Sequence, residues 1–405
     1  MALNEATGFS KGVIPLGFPI REVAMLDVLP RPRLRSLLDH FSAVEDTRQP
    51  WKVMYPLREV ILLAVCGTIA DCDDYDDIAE WGEAHLDFLR SMSEFHYGIP
   101  CEDWLRVIMN RIDPALFSAC FEAWVAERWP EVPSLVALDG KTSRRSHDEA
   151  AGRRALHLVS AFATHRHLVL GQEAVEEKSN EIIAIPALLA RLALEGALVT
   201  IDAMGCNPGI AQNILDAKAD YLLAVKDNQP TLHAEIESYF ETAPEGEVET
   251  CQHIDKGHGR LEIRTCRVSQ QIDWLEAERR YPGAFRFPGV AAIAVIDSRV
   301  EHKGKVATAR RSYITSRPLS ANTLAAAVRS HWAIENNLHW MLDVAFKEDL
   351  SRLRKGHGAK NMAVVRHFAI NLVRDTKDER SIKTRRKRAS WDRRYLQAIL
   401  TKSPC

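Results

Sequence analysis

No Cys-x-x-Cys pair occurs among the eight cysteines, which are scattered at 66, 72, 101, 120, 206, 251, 266 and 405, and no Cys/His spacing suits a zinc finger. This excludes structural zinc and a disulfide framework, and leaves most of the thiols as small buried hydrophobes. No apolar run approaches the roughly 18 residues needed to cross a bilayer, and the N-terminus lacks a basic segment leading into a long apolar one. A membrane role is therefore not expected, and the cytoplasm is the expected location. Internal repeats and low-complexity tracts are also missing. At 405 residues, with 46% hydrophobic and 27% charged residues, the chain has the make-up of an ordinary globular protein of two or three compact units. Charge of one sign is scarce overall, with a net of −2, but it is unevenly spread. Residues 351–405 hold sixteen Lys/Arg against four Asp/Glu, a surplus of 12, which leaves −14 for the remainder. The run KTRRKR at 383–388 is the densest part, and it reads either as a polyanion-binding segment or as a solubilising tail.

Two aspartates stand out, each ending a short apolar run: Asp139 in SLVALDGKT and Asp202 in GALVTIDAMG. If both runs are neighbouring strands, the two carboxylates meet at the strand ends, where open α/β sheets form their sites. Glu335 lies on a helical segment, sharing one face with Val328, His331, Trp332, Leu338, His339 and Leu342. An ionised glutamate on so apolar a face is costly unless paired or metal-bound. Three converging acids would cage a hard divalent cation and point to metal-assisted phosphoryl transfer. Other readings stay open. Asp-Gly after an apolar run is a strong hairpin signal, and Asp202 could cap a helix starting after Pro208. His331 and His339 read as core or DNA-facing side chains rather than metal ligands.

Periodicity divides the chain. Residues 1–30, rich in Gly and Pro, read as a loose leader, and 31–129 repeat apolar residues at helical spacing, predicting a small all-helical domain. Its acidic stretch at 71–81 has the charge of a helix start. From 130 to 240, three strands in a row and then alternating strands and helices predict a mixed α/β sheet. Residues 241–318 alternate with period two and read as a β-rich insertion. Helical pattern resumes at Ser320, a candidate cap, so 319–375 would return to the core with the glutamate, followed by a basic tail at 376–405. No standard helix-turn-helix spacing stands out in 33–129.

In combination these motifs resemble insertion-sequence transposases of the DDE class, in the branch that includes the H-repeat-associated proteins. The resemblance is carried from about residue 33 to 375 by GIP (98–100), DP (113–114), ALDGKTSRRSHD (137–148), LHLVSAFA (156–163), EKSNEIIAIPALL (177–189), TIDAMGCN (200–207), DYLLAVKDNQPTL (220–232) and HWAIENNLHWMLDVAFKED (331–349). It implies a ribonuclease H-like core with Asp139, Asp202 and Glu335 as the catalytic and metal-binding triad, at separations of 63 and 133 residues. The long second gap fits the family habit of inserting a β-rich domain before the glutamate. It also implies two Mg²⁺ ions, with Mn²⁺ able to substitute. The activity implied is cleavage of DNA at the element ends and strand transfer into target DNA. Double-stranded DNA is the expected partner, engaged by a homodimer that associates with the nucleoid. Lys141, Arg144, Arg145, Lys178, Lys226, Gln229, His331, Arg352, Arg354 and Lys355 are candidate DNA contacts. Two departures are evident. Cys101, Glu102, Asp103 and Trp104 replace the usual Ser-His-Asp-Thr-like run after GIP, and Val328, His331 and Leu342 occupy positions where the broader class has Tyr, Arg and Lys. The competing functions are a DNA-binding remnant that no longer cuts and a stand-alone metal-dependent nuclease.

Overall fold

Helical spacing from Pro32 onward yields α1 (Pro32–Ala43), α2 (Leu57–Ile69), α3 (Tyr75–Ala84), α4 (Leu86–Arg90), α5 (Glu102–Arg111) and α6 (Pro114–Arg128) in the computed structural model. The structure describes residues 32–149, 152–175, 181–257, 259–276 and 287–401. The leader at 1–30 and Lys178 lie outside them. The acidic stretch does start a helix: Asp74 caps α3 by accepting from Asp77 N at 3.0 Å, with Asp76 and Asp77 in the first turn. Asp113 caps α6 in the same way, ahead of Pro114 at the first helical position. α2 has no polar face and is buried on nearly every side, as expected of a helix at the centre of a bundle.

The α/β part contains β1 (Leu135–Thr142), β2 (His157–Ala163), β3 (Leu168–Val175), α7 (Glu181–Leu189), β4 (Leu198–Ile201), α8 (Pro208–Asp216), β5 (Asp220–Val225) and α9 (Pro230–Thr242). The period-two segment then supplies β6 (Glu249–Gly257), β7 (Arg260–Ser269), the short α10 (Asp273–Glu276), β8 (Ala292–His302) and β9 (Lys305–Thr315). All nine strands form one sheet in the order β3-β2-β1-β4-β5-β9-β8-β7-β6. β1, β2 and β3 are antiparallel neighbours, while β1, β4 and β5 run parallel. That half is the expected ribonuclease H-like mixed sheet. β9 joins it antiparallel to β5, with Leu222 opposite Thr315 and Val225 opposite Ser312, and β8, β7 and β6 continue outward as a meander.

After β9 come α11 (Ala321–His331), capped by Ser320 through Thr323 N as expected, and a π-helical turn at Ile334–His339 that leads into α12 (Trp340–Val344). α13 (Gly358–Arg374), α14 (Ile382–Trp391) and α15 (Arg393–Thr401) complete the chain. α13 is buried along most of its length and packs on α2. Its Phe368 ring meets those of Phe41, Phe121 and Trp124 at 5.3, 4.9 and 4.9 Å. The helical region thus draws its central aromatic residue from nearly 250 positions downstream. α13 also ties that region to the sheet, because Asn371 accepts from Val169 N (3.0 Å) and donates to Val169 O (2.9 Å) on the edge strand β3.

The reading of KTRRKR as a free basic tail is corrected. Arg386 is fully buried, donating to Thr68 O at the end of α2 and to Ala345 O beyond α12, with Asp71 at 3.1 Å and the Phe346 ring 4.2 Å away. A guanidinium at two helix C-termini meets their uncapped carbonyls. Arg385 donates to Val373 O, Thr376 O and Asp378 O, and Arg388 lies over Tyr395. The segment folds because Leu396, Ile399 and Leu400 line one buried face of α15.

Candidate active site

The parallel ladder of β1 and β4 ends with Leu138 opposite Ile201. The next residue of each is an aspartate, so Asp139 and Asp202 occupy adjacent positions on strands spaced about 4.8 Å apart. β1 itself does not stop there. It runs on to Thr142, with Asp139 opposite Ser160 and Gly140 opposite Val159 on β2. Asp139 is therefore inside a strand, which corrects both the strand-end placement and the hairpin reading. Gly140 serves a close approach rather than a turn: a Cβ there would come within 2.4 Å of Glu181 Oε1 and 2.7 Å of His157 Nε2. These two form a buried pair at 2.6 Å, and His157 Nδ1 lies 2.7 Å from Thr142 Oγ1. The chain Thr142–His157–Glu181 thereby locks β1, β2 and α7 together beneath Asp139.

Asp202 accepts from Met204 N at 2.9 Å, capping a short turn over Ala203–Gly205. The cap of α8 is Asn207 instead, which accepts from Gly209 N at 2.8 Å. Asn228 donates to Ala203 O and Cys206 O, and Gln229 donates to Cys206 O, binding the loop after β5 to the loop after β4. Gln229, expected against DNA, is thus used within the fold.

Glu335 projects from the π-helical turn, in which Trp340 N donates to Glu335 O, a distortion common at functional sites. Its side chain is half exposed, while that of Asp139 is 15% exposed. Between them sits His339, 6% exposed, with Nδ1 at 3.5 Å from both Asp139 Oδ2 and Glu335 Oε2. Donor atoms of Asp139, Glu335 and His339 all lie within 4.8 Å of one another. Asp202 is outside that tight group but close enough to act on it electrostatically. Burial, the Glu335 carboxylate and the charge of Asp202 push the Asp139 carboxyl up, to about 8. The His339 ring holds Glu335 below the usual carboxylate range. Among the described residues no lysine or arginine forms an ion pair with any of the three acids. Two carboxylates and an imidazole without an internal cation fit a divalent metal.

Lys141, two residues along β1 from Asp139, was expected against phosphate and is instead enclosed. Its Nζ lies 2.7 Å from Asp343, 3.0 Å from Glu348 and 3.4 Å from Asp349. Burial works against the ammonium, but Glu348 and Asp343 hold its pKa above the ordinary value. A three-acid cage leaves no charge to offer DNA. The other candidates remain outward. Arg144 is 83% exposed beside Asp349, and Arg145, Lys226, Arg352, Arg354 and Lys355 are exposed. Arg354 donates to Arg145 O at 3.1 Å, and Arg153 to Arg354 O at 3.5 Å, so segments some 200 residues apart form one basic ridge. His331 is tied to Thr200 at 3.0 Å, with its pKa lowered by burial against the pull of Asp202 and Glu335. It borders a small cavity of about 80 Å³ lined also by Asp202, Lys226, Tyr313 and Trp332.

Sequence reasoning placed His339 on the glutamate face as a core or DNA-facing side chain, and the structure buries it beside Asp139 and Glu335. Its spacing of four residues from Glu335 is the signal that brings two helical side chains together. Nothing in the sequence marked the Thr142–His157–Glu181 link.

Comparison with known proteins identifies the family. The transposase DDE domain matches residues 130–372, and the DDE_Tnp_1-associated model matches 38–125. The H repeat-associated protein YhhI of Escherichia coli K12 is 38% identical over 381 residues, covering 91% of this chain and 99% of that protein. YncI of E. coli O157:H7 is 38% identical over 91% of this chain and 95% of its own length. Among solved structures, a cryo-EM piggyBac transposase synaptic complex with hairpin DNA aligns over 92% of this chain and 78% of that chain, at 12% identity and a TM-score of 0.41. Family and relatives cover the helical region and the sheet alike, and the chain belongs to the transposases that carry the DDE domain.

Proposed function

We propose that this chain cleaves DNA at the ends of its own insertion element and joins the freed 3′-hydroxyl to target DNA, with Asp139, Asp202 and Glu335 as the catalytic acids. What supports this reading is the approach of the buried Asp139 to Glu335, with the charge of Asp202 acting on Asp139 from the adjacent strand and, among the described residues, no lysine or arginine paired with any of the three. Asp139 would serve two Mg²⁺ ions, for which Mn²⁺ can substitute, and Asp202 and Glu335 would serve one each. Such ions, when bound, neutralise the phosphodiester and activate the attacking oxygen. The remaining work falls to the chain. β1 and β4 hold two of the acids in adjacent register, and the Thr142–His157–Glu181 link stiffens the strand beneath Asp139. Asp202 uses Oδ1 for its cap, which leaves Oδ2 available. The ridge of Arg144, Arg145, Arg354 and Lys355, with Lys226 on the far side, is suited to gripping phosphates and setting the register of the duplex. Two DNA ends must meet, so two copies of the chain are expected on DNA, at the nucleoid.

A supercoiled plasmid carrying the cognate ends tests this. Wild-type protein with Mg²⁺ should yield cleaved and joined products, and Asp139→Ala, Asp202→Ala and Glu335→Gln should each lower the yield by about 10³-fold or more while still binding DNA. Cleavage without joining would favour a nuclease. Binding without cleavage by the wild type would favour a remnant.

A further inference from the structure

We propose that His339 is a direct ligand of the metal held by Asp139 and Glu335, making this a mixed carboxylate–imidazole site that favours Mn²⁺ over Mg²⁺. The inference rests on the metal reading of the same site and adds to it a ligand outside the acid triad.

His339 is 94% buried yet has no hydrogen-bond partner at Nε2, and it directs Nδ1 between two carboxylates at 3.5 Å from each. Hydrogen bonds to a carboxylate run at about 2.7–3.2 Å. Ligands around one cation with bonds of about 2.1 Å stand about 3.0 Å apart when adjacent and about 4.2 Å when opposite. The observed spacings of 3.5 Å, within a group spanning 4.8 Å, are long for hydrogen bonds and fall between the adjacent and opposite ligand separations of a shared ion. The π-helical turn is the device that achieves this, since it carries Glu335 and His339 on consecutive turns of one face. A ligating imidazole also needs a proton acceptor for its other nitrogen. In this structure His339 Nε2 has no such acceptor, and the nearby buried His367 leaves its own Nδ1 unpartnered as well. Imidazole is a poor ligand for Mg²⁺ and a good one for transition metals, whereas Mn²⁺ accepts carboxylate and imidazole together.

The test is pulsed electron paramagnetic resonance on the full chain with Mn²⁺ alone, together with an affinity titration. Wild-type protein should show ¹⁴N modulation on the Mn²⁺ signal. His339→Asn should lose it, bind Mn²⁺ at least about tenfold more weakly, and change little in Mg²⁺ affinity. Growth on ¹⁵N-histidine should convert the wild-type modulation to the ¹⁵N pattern, which identifies the ligand even if the variant folds poorly. Mn²⁺ bound with no nitrogen modulation, or modulation that persists in His339→Asn, overturns the proposal while leaving the acid triad intact. No Mn²⁺ bound at all would overturn both this inference and the metal site on which it rests.

Discussion

Strand β1 serves two acidic clusters two residues apart, and their contrast explains much of the molecule. At Asp139 the acids pair with no lysine or arginine among the described residues, the Asp139 carboxyl is pushed up and Glu335 remains half exposed. At Lys141, the buried Glu348 and its neighbours Asp343 and Asp349 surround an ammonium, and Arg366 approaches Glu348 at 3.6 Å. The second cluster is closed, with its charge neutralised from within. The first stays open, has no lysine or arginine paired with it among the described residues, and keeps Asp139 from ionising in the usual carboxylate range. Net acidity alone therefore does not mark a metal site. What separates the two is whether the fold provides its own counter-charge.

The comparison breaks most severely at Lys141. Lys141→Met leaves the buried Glu348 with only Arg366 at 3.6 Å as a counter-charge and should destabilise the protein by about 3–5 kcal/mol in urea unfolding, whereas Asp139→Asn should leave stability unchanged or raise it. Adding Glu348→Gln to Lys141→Met should restore part of the loss; a loss as large in the double variant would show that the cage is not the cause.

His367 lies between the clusters, feeling both Glu348 and His339, and burial lowers its pKa to about 4. An unfolded histidine takes its proton near 6.5, so the unfolded state gains protons first as pH falls. Stability that is complete above about pH 6.5 should decline by about 3 kcal/mol on going down to pH 4. His367→Gln should flatten that part of the profile in thermal melts, and an unchanged slope would assign the acid sensitivity elsewhere.

The smallest expected effect is at the surface. Arg144→Ala and Arg354→Ala should leave melting temperatures nearly unchanged. Each should reduce the slope of log K against log salt for duplex binding by about 1 if it contacts a phosphate. Fluorescence anisotropy over a salt series would detect this. Slopes equal to wild type would remove these residues from the DNA interface.

Much of this contrast was legible before the structure, and the part that was not has clear reasons. Asp139, Asp202 and Glu335 could be picked out because a carboxylate directly after an apolar run, or on an apolar helix face, has a local cost visible in sequence. Asp74, Asp113 and Ser320 could be read as caps because capping is settled within four residues. Lys141 was misread because its three partners lie more than 200 residues away. Arg386 was misread because KTRRKR looks solvated until α2 and α12 present their carbonyl ends to it. His339 was read as core or DNA-facing, and it is indeed buried, but a histidine on an apolar face carries no mark of what its ring nitrogen meets.

By itself the sequence determined the periodicities, the caps, the succession of strands and helices, and the three acids, since each depends on residues within a turn or a strand of one another. Only the tertiary structure decided which acids would be neutralised and which left open, that α13 would run through the helical region, and that His339 would stand between two carboxylates. Those outcomes depend on side chains remote along the chain sharing one low-dielectric space, where the presence or absence of a single counter-charge sets the chemistry.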